Sequence, residues 1–71
     1  MFLRIQRVVR IGSTDTELKP ELIRADLIQR MRPVELGGHD EPCTELVLDN
    51  EETVVCQGSF EDVEGALSSL Y

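Results

Sequence analysis

The chain has 71 residues and a formal net charge of −7, and its aromatic residues are two Phe and one Tyr. A chain of this length forms one domain, 1–71, and buries only about 60 % of its unfolded surface, which leaves little room for a deep pocket. No apolar run reaches the roughly 18 residues of a transmembrane helix, so no membrane insertion is expected. The first residues lack a signal peptide's apolar stretch, and a cytoplasmic location is the expectation.

Charge is distributed unevenly along the chain. All seven basic residues lie in the first 32 positions, together with four acids, whereas residues 33–71 hold ten acids and no Lys or Arg. A net negative chain repels phosphate backbones, so direct nucleic-acid binding is not expected, although the basic half leaves a local patch open. The halves are expected to attract one another within the fold or between copies, and a homodimer is one alternative.

The first predicted element is a strand over residues 2–11, where apolar residues recur at period two. One face would carry Leu3, Ile5, Val9 and Ile11 with Arg7 among them, and the other Arg4, Gln6, Val8 and Arg10. A strand this basic near a chain terminus is predicted to lie at a sheet edge, because charge discourages edge-to-edge pairing.

A turn over 12–15 and a short return strand over 16–19 follow, and residues 20–31 have two interpretations. Pro20 and Glu21 suit the start of a helix. A turn at 24–26 leading into a strand over 27–32 fits nearly as well, and we favour it because of the family resemblance described below. Residues 33–43, with two prolines and a Gly-Gly pair, are predicted to be a loop.

Residues 44–57 are predicted to form a hairpin whose turn lies at 49–52. If Asp49 and Asn50 form a two-residue turn, Cys43 falls opposite Cys56; if the turn is one residue later, the two cysteines are diagonal neighbours. Two cysteines permit one disulfide, but in a reducing compartment buried thiols are expected.

Residues 59–70 predict a helix, with Ser59 as N-cap and Phe60, Val63, Leu67 and Leu70 along one face. Gly65 is expected to allow close approach to the sheet. The predicted fold is α+β: a small antiparallel β-meander of about four to five short strands packed by one C-terminal helix.

No constellation of catalytic or metal-binding residues is evident. His39 is the single histidine, and the paired Cys/His spacing of a structural zinc site is absent. Neither cysteine has an orienting third residue to form a nucleophile with His39. We therefore predict no enzyme activity, no cofactor and no metal.

Four segments carry a family resemblance. Residues 23–33 (Ile-Arg-Ala-Asp-Leu-Ile-Gln-Arg-Met-Arg-Pro), residues 44–50 (Thr-Glu-Leu-Val-Leu-Asp-Asn) and residues 54–63 (Val-Val-Cys-Gln-Gly-Ser-Phe-Glu-Asp-Val) resemble, in order and pattern, the small FlbD-like (SwrD-like) flagellar proteins. Residues 3–8 (Leu-Arg-Ile-Gln-Arg-Val) also resemble the first strand of that family. The resemblance implies a strand-turn-strand followed by a helix, a motility-associated accessory role, and no catalytic residues to transfer.

The expected function is a protein-interaction or accessory module with a protein partner. The expected contact residues are Arg4, Arg7 and Arg10 on the first strand, His39 and Asp40 in the loop, and Glu51 and Glu52 in the hairpin turn. The alternative is an acidic regulator that mimics nucleic-acid charge and blocks a nucleic-acid-binding protein, with Glu51 and Glu52 among its working residues.

Overall fold

The structure, a computed structural model, describes residues 1–12 and 15–70. These residues form β1 (Phe2–Ile11), β2 (Asp15–Arg24), a 3-10 turn (Ala25–Leu27), β3 (Ile28–Val34), β4 (Cys43–Leu48), β5 (Thr53–Gln57) and α1 (Phe60–Ser68). The predicted antiparallel meander with one C-terminal helix is confirmed. The middle of the predicted turn at 12–15, Ser13 and Thr14, lies outside the described residues, as does Tyr71.

The strands form one antiparallel sheet in the order β2-β1-β5-β4-β3, and this sheet must be rolled. In a flat sheet the outer strands β2 and β3 would lie about 19 Å apart, at about 4.8 Å per strand. They are joined by only the turn Ala25–Leu27, whose chain spans at most about 14 Å. The curvature gives the sheet a concave and a convex side.

The concave side holds the main apolar core, which consists of Leu3, Ile5, Leu46, Leu48, Val54, Cys56 and Val63. Period-two alternation places these strand residues on one side, and Leu46 and Cys56 are fully buried there. Ile23, Ile28 and Met31 pack around them from the outer strands.

Helix α1 closes the concave side. The Asp62 N–H donates to Ser59 Oγ at 3.1 Å, which confirms Ser59 as the N-cap. Val63 is buried in the core, and Leu67 and Leu70 pack against it. The helix ends at Ser68, two residues before the predicted end. The prediction for Gly65 was wrong: this glycine is exposed, and a Cβ built on it meets nothing within 4 Å.

Between residues 15 and 34 the strand interpretation is confirmed and the helix alternative is wrong. β2 is longer than the predicted return strand and runs through Pro20 to Arg24. Pro20 is compatible with a strand here because β2 is an outer strand. β3 runs to Val34, and the loop is therefore 35–42 rather than 33–43.

The prediction that β1 lies at a sheet edge was wrong. β1 pairs with β2 along its whole length, Phe2 to Ile11, and touches β5 in a single pair, Arg7 with Cys56. Closure of the meander by its first and last strands makes β1 internal, and β2 forms the edge instead.

The β4–β5 hairpin turns over Asp49–Glu51. The Leu48 N–H donates to Glu52 O at 2.9 Å, and Glu51 adopts φ 68°. This register pairs Thr44 with Cys56 and Cys43 with Gln57, so the cysteines are offset by one position. Neither predicted alternative is correct, because the turn holds three residues and not two. Neighbouring positions in a pleated strand face opposite sides, and both thiols are accordingly free.

Candidate interaction surfaces

The convex side of the β1–β2 hairpin is the first candidate. Paired residues share a side, and the pairs on the convex side are Phe2 with Arg24, Arg4 with Leu22, Gln6 with Pro20, Val8 with Leu18 and Arg10 with Thr16. We call this set the hairpin face. It contains three arginines and no carboxylate, although the chain as a whole carries −7.

Large apolar side chains of the hairpin face are exposed to water. Phe2 is 58 % exposed, Leu22 62 % and Leu18 39 %. A contiguous apolar patch rimmed by polar groups is typical of a protein-interaction surface. The hairpin face therefore combines contact area with positive charge.

The three arginines of the hairpin face differ in their partners. Arg24 donates to Asp26 at 2.8 Å, and this ion pair lowers the pKa of the Asp26 carboxyl. Arg10 donates to Gly37 O at 3.3 Å. Arg4 has no hydrogen bond or ion pair with any residue that the structure describes. Its guanidinium is therefore available to an outside carboxylate.

Arg7, which the sequence grouped with Arg4 and Arg10, points to the concave side. It lies 3.4 Å from the Glu21 carboxylate across the hairpin. Both side chains are about one-third exposed, so water screens this pair and its contribution to stability is small. The structure does not bring the three predicted arginines into one surface.

The loop 35–42 folds over the convex side and is held there by His39. Its Nδ1 lies 2.8 Å from Thr16 Oγ1 on β2, and its Nε2 lies 3.0 Å from Gln57 Oε1 on β5. Because β1 lies between β2 and β5, the imidazole spans β1. We call this arrangement the His39 latch.

The neutral imidazole satisfies both latch bonds in one tautomer. Nε2–H donates to the Gln57 carbonyl oxygen, and Nδ1 accepts from the Thr16 hydroxyl. On β1, Arg10 lies opposite Thr16 and Gln6 lies opposite Gln57. Val8 is between these two residues on the same side of the strand, and its side chain is 9 % exposed. His39 thus has a structural explanation as the residue that ties the loop to β2 and β5.

An open cleft of about 1020 Å³ lies between this loop and the start of α1. Four carboxylate residues line it: Glu35, Asp40, Glu41 and Glu61. The predicted contact residue Asp40 belongs to this acidic rim, so it does not join the basic hairpin face. Among residues 1–12 and 15–70, no group of three His, Cys, Asp or Glu side chains could hold a metal ion.

The two thiols are chemically protected. Burial raises the pKa of Cys56 to about 11, and burial, with the nearby Glu41 carboxylate, raises that of Cys43. A thiol with a raised pKa is a poor nucleophile near neutral pH, because the thiolate is the reactive form. Both cysteines act here as small buried apolar residues.

The predicted acidic residues Glu51 and Glu52 lie at the tip of the β4–β5 hairpin and are exposed. Asn50 Oδ1 accepts the Glu52 N–H at 2.9 Å and shapes the turn. Glu45, another carboxylate of the acidic half of the chain, forms an ion pair with Arg32 at 2.7 Å. Part of the acidic charge is therefore neutralised inside the molecule.

Sequence reasoning missed the apolar half of the hairpin face. Leu18, Pro20 and Leu22 were divided between a short strand and an ambiguous segment, so their common side was not recognised. The signal was present: Thr16, Leu18, Pro20 and Leu22 continue one period-two pattern through the proline.

No helix in the described part of the chain has the length and apolar character needed to cross a membrane. Comparison with protein-family models, curated proteins and solved structures finds no match to this chain. The flagellar resemblance therefore stays an interpretation of the residues, and the geometry of the surfaces carries the functional argument.

Proposed function

We propose that the chain is a small protein-binding module without catalytic activity, and that its hairpin face docks an acidic and apolar surface of a partner protein. One observation carries the proposal: exposed Phe2, Leu18 and Leu22 lie beside the unpaired Arg4 on a side without carboxylates. The family resemblance supplies the setting, a cytoplasmic accessory role in the flagellum.

The physical chemistry of the face supports a protein rather than a nucleic acid as partner. Contacts to a nucleic-acid backbone rely on clustered Lys and Arg, whereas here two of the three arginines already have partners within the chain. Exposed aliphatic side chains gain free energy when a complementary apolar surface removes them from water. One available arginine beside such side chains suits a carboxylate on a partner protein.

The test is affinity capture from cells and mass spectrometry with three forms of the chain. Leu18→Ser/Leu22→Ser removes the apolar part of the hairpin face, and Ile11→Ser is the matched control. Ile11 is exposed on the same hairpin but faces the concave side. We expect a partner that wild type and the control retain and the double variant loses.

Quantitative binding to that partner then decides the proposal. Truncating a central apolar contact should weaken the Kd by about tenfold or more in the double variant. Arg4→Glu should weaken binding similarly, whereas the equivalent change at the exposed Arg30 on β3 should not. Equal binding by all variants, or binding of a labelled oligonucleotide that depends on Arg4, would refute the proposal.

The charge-mimic alternative has its own test. Glu51→Lys/Glu52→Lys reverses the charge at the tip of the β4–β5 hairpin without touching the hairpin face. If the partner binds nucleic acid and this double change abolishes the complex, the mimic replaces the docking proposal.

A further inference from the structure

β1 has a stretch of strand edge that no other strand covers. β5 meets β1 only at Arg7, ends at Gln57 and leaves the sheet at Gly58. Residues Phe2–Ile5 therefore have a strand neighbour on the β2 side alone within the described chain. Their other edge faces an open groove.

The alternation of the ladder identifies the backbone groups that face this groove. The Ala25 N–H donates to Met1 O at 2.9 Å, and this pair continues the β1–β2 register. Odd-numbered residues of β1 therefore bond with β2, and even-numbered ones point the other way. Phe2 and Arg4 direct both N–H and C=O away from β2, and Arg4 lines the groove.

The outer edges of the sheet are blocked by contrast. Pro20 pairs with Gln6, an even position, so the proline nitrogen faces the outer edge of β2. The other outer strand is β3. The Leu48 N–H donates to Glu52 O, so the backbone groups of even-numbered β4 residues, Thr44 among them, bond with β5 and not with β3. Pro33 lies opposite Thr44, and its nitrogen therefore also faces the outer edge of the sheet. A proline at an edge removes a donor that strand addition requires. The uncovered residues Phe2–Ile5 contain no proline.

Helix α1 flanks the groove. The groove has a volume of about 330 Å³, and α1 contributes Asp62, Val63 and Ala66 to its wall. The four uncovered residues of β1 span about 14 Å. Gly58 adopts φ 131°, and this backbone conformation turns β5 out of the space that an added strand would occupy.

We propose that this groove binds an extended peptide segment of a partner protein, which pairs antiparallel with Phe2–Ile5 in line with β5. The added strand places alternate side chains against Val63 and Ala66 on the concave side, where apolar residues fit. The intervening side chains lie beside the unpaired Arg4 on the convex side, where carboxylates fit. The ligand is thus a peptide of alternating apolar and acidic residues, held mainly by its backbone.

This inference rests on the proposed protein-binding role and names the segment that the role would recognise. The two can fail separately, because the groove wall at Ala66 and the apolar residues Leu18 and Leu22 lie on different elements.

The probe is the peptide Ac-Val-Glu-Val-Glu-Val-Glu-NH2, followed by NMR on the labelled full chain. In the free protein we expect the Phe2 and Arg4 amides to exchange quickly with solvent and the Leu3 and Ile5 amides slowly. The peptide should slow Phe2 and Arg4 exchange by about tenfold, because each gains a backbone acceptor. The absence of this slowing at millimolar peptide overturns the proposal.

Methylated peptides test the backbone contact directly. In the antiparallel register, the residues that bond with Phe2 and Arg4 share their side, so the glutamate N–H groups face β1. N-methylation of the glutamates should weaken binding by about tenfold or more, and N-methylation of the valines should change it little. Equal effects, or the reverse order, contradict the proposed strand addition.

A variant of the groove separates this inference from the hairpin face. Ala66→Trp fills the groove and should abolish peptide binding, whereas Ser68→Trp, also exposed on α1 but outside the groove, should not. If Ala66→Trp leaves binding intact, the groove assignment is wrong. A partner lost with Leu18→Ser/Leu22→Ser but retained by Ala66→Trp leaves the proposed function standing without the groove.

Discussion

The His39 latch gives a prediction whose size follows from two hydrogen bonds. His39→Ala removes the bonds to Thr16 and Gln57 together. A neutral hydrogen bond contributes about 0.5–1.5 kcal/mol net, so the pair amounts to about 1–3 kcal/mol. A chain of 71 residues has a free energy of unfolding of roughly 4–11 kcal/mol. The latch is thus a substantial share of the total.

Part of this loss should appear as local opening, because the loop can detach while the sheet stays folded. The His39 N–H donates to Leu36 O within the loop, whereas the Gly58 N–H donates to Pro42 O where the loop rejoins the sheet. In His39→Ala we expect hydrogen exchange to accelerate at the residue 39 amide and to change less at Gly58. Urea unfolding measures the global part.

Double-mutant cycles isolate each latch bond. Thr16→Val and Gln57→Met keep the side-chain volume and remove the polar partner. Each should show a coupling energy with His39→Ala of about 0.5–1.5 kcal/mol. Asp40→Ala, a neighbouring exposed loop residue, is the control and should stay within about 0.5 kcal/mol of wild type.

Two couplings within experimental error of zero would show that the imidazole does not hold the loop. The same conclusion follows if the control Asp40→Ala destabilises the chain as much as His39→Ala, since the loop would then depend on charge rather than on the imidazole.

Further predictions concern the core, the helix and the buried thiol, and urea unfolding measures each of them. Leu46→Ala empties a fully buried site and should lower the free energy of unfolding by about 2–5 kcal/mol. Ser59→Ala removes the N-cap and should lower the free energy of unfolding by about 0.5–2 kcal/mol. Gly65→Ala should raise the free energy of unfolding by about 0.5–1 kcal/mol, because the added methyl meets open space. Burial raises the Cys56 pKa from 9.0 to about 11, so the unfolded thiol ionises first and stability should fall as the pH rises through this range. Cys56→Ala should flatten that decline, and an unchanged slope would contradict the assignment.

Local patterns predicted most of the elements. Period-two alternation identified β1 and the β4–β5 hairpin, and the cap at Ser59 with the face of Val63 and Leu67 identified the helix. These signals succeed because a side chain's direction depends on backbone geometry over a few residues. The segment from Pro20 to Met31 could not be assigned from local patterns, because a proline at that point suits a helix start and an outer strand equally well.

The candidate surfaces were harder to predict from the sequence than the secondary structure was. Arg4 and Arg10 were correctly placed on one side of β1, and Arg7 on the other. Nothing local indicated that His39 would reach Thr16 and Gln57, since these partners lie 23 and 18 residues away along the chain. The free edge of Phe2–Ile5 depends on where β5 leaves the sheet, and this is decided by strand order.

The sequence by itself determined which residues are extended, where the helix begins and which side chains share a side, because backbone sterics and burial of apolar groups act locally. Tertiary structure alone decided that β1 is internal, that the sheet rolls, and that β1 keeps an open groove beside α1. These features follow from which strands meet. That choice comes from non-local burial, which brings residues as distant as Leu3 and Val63 into one core.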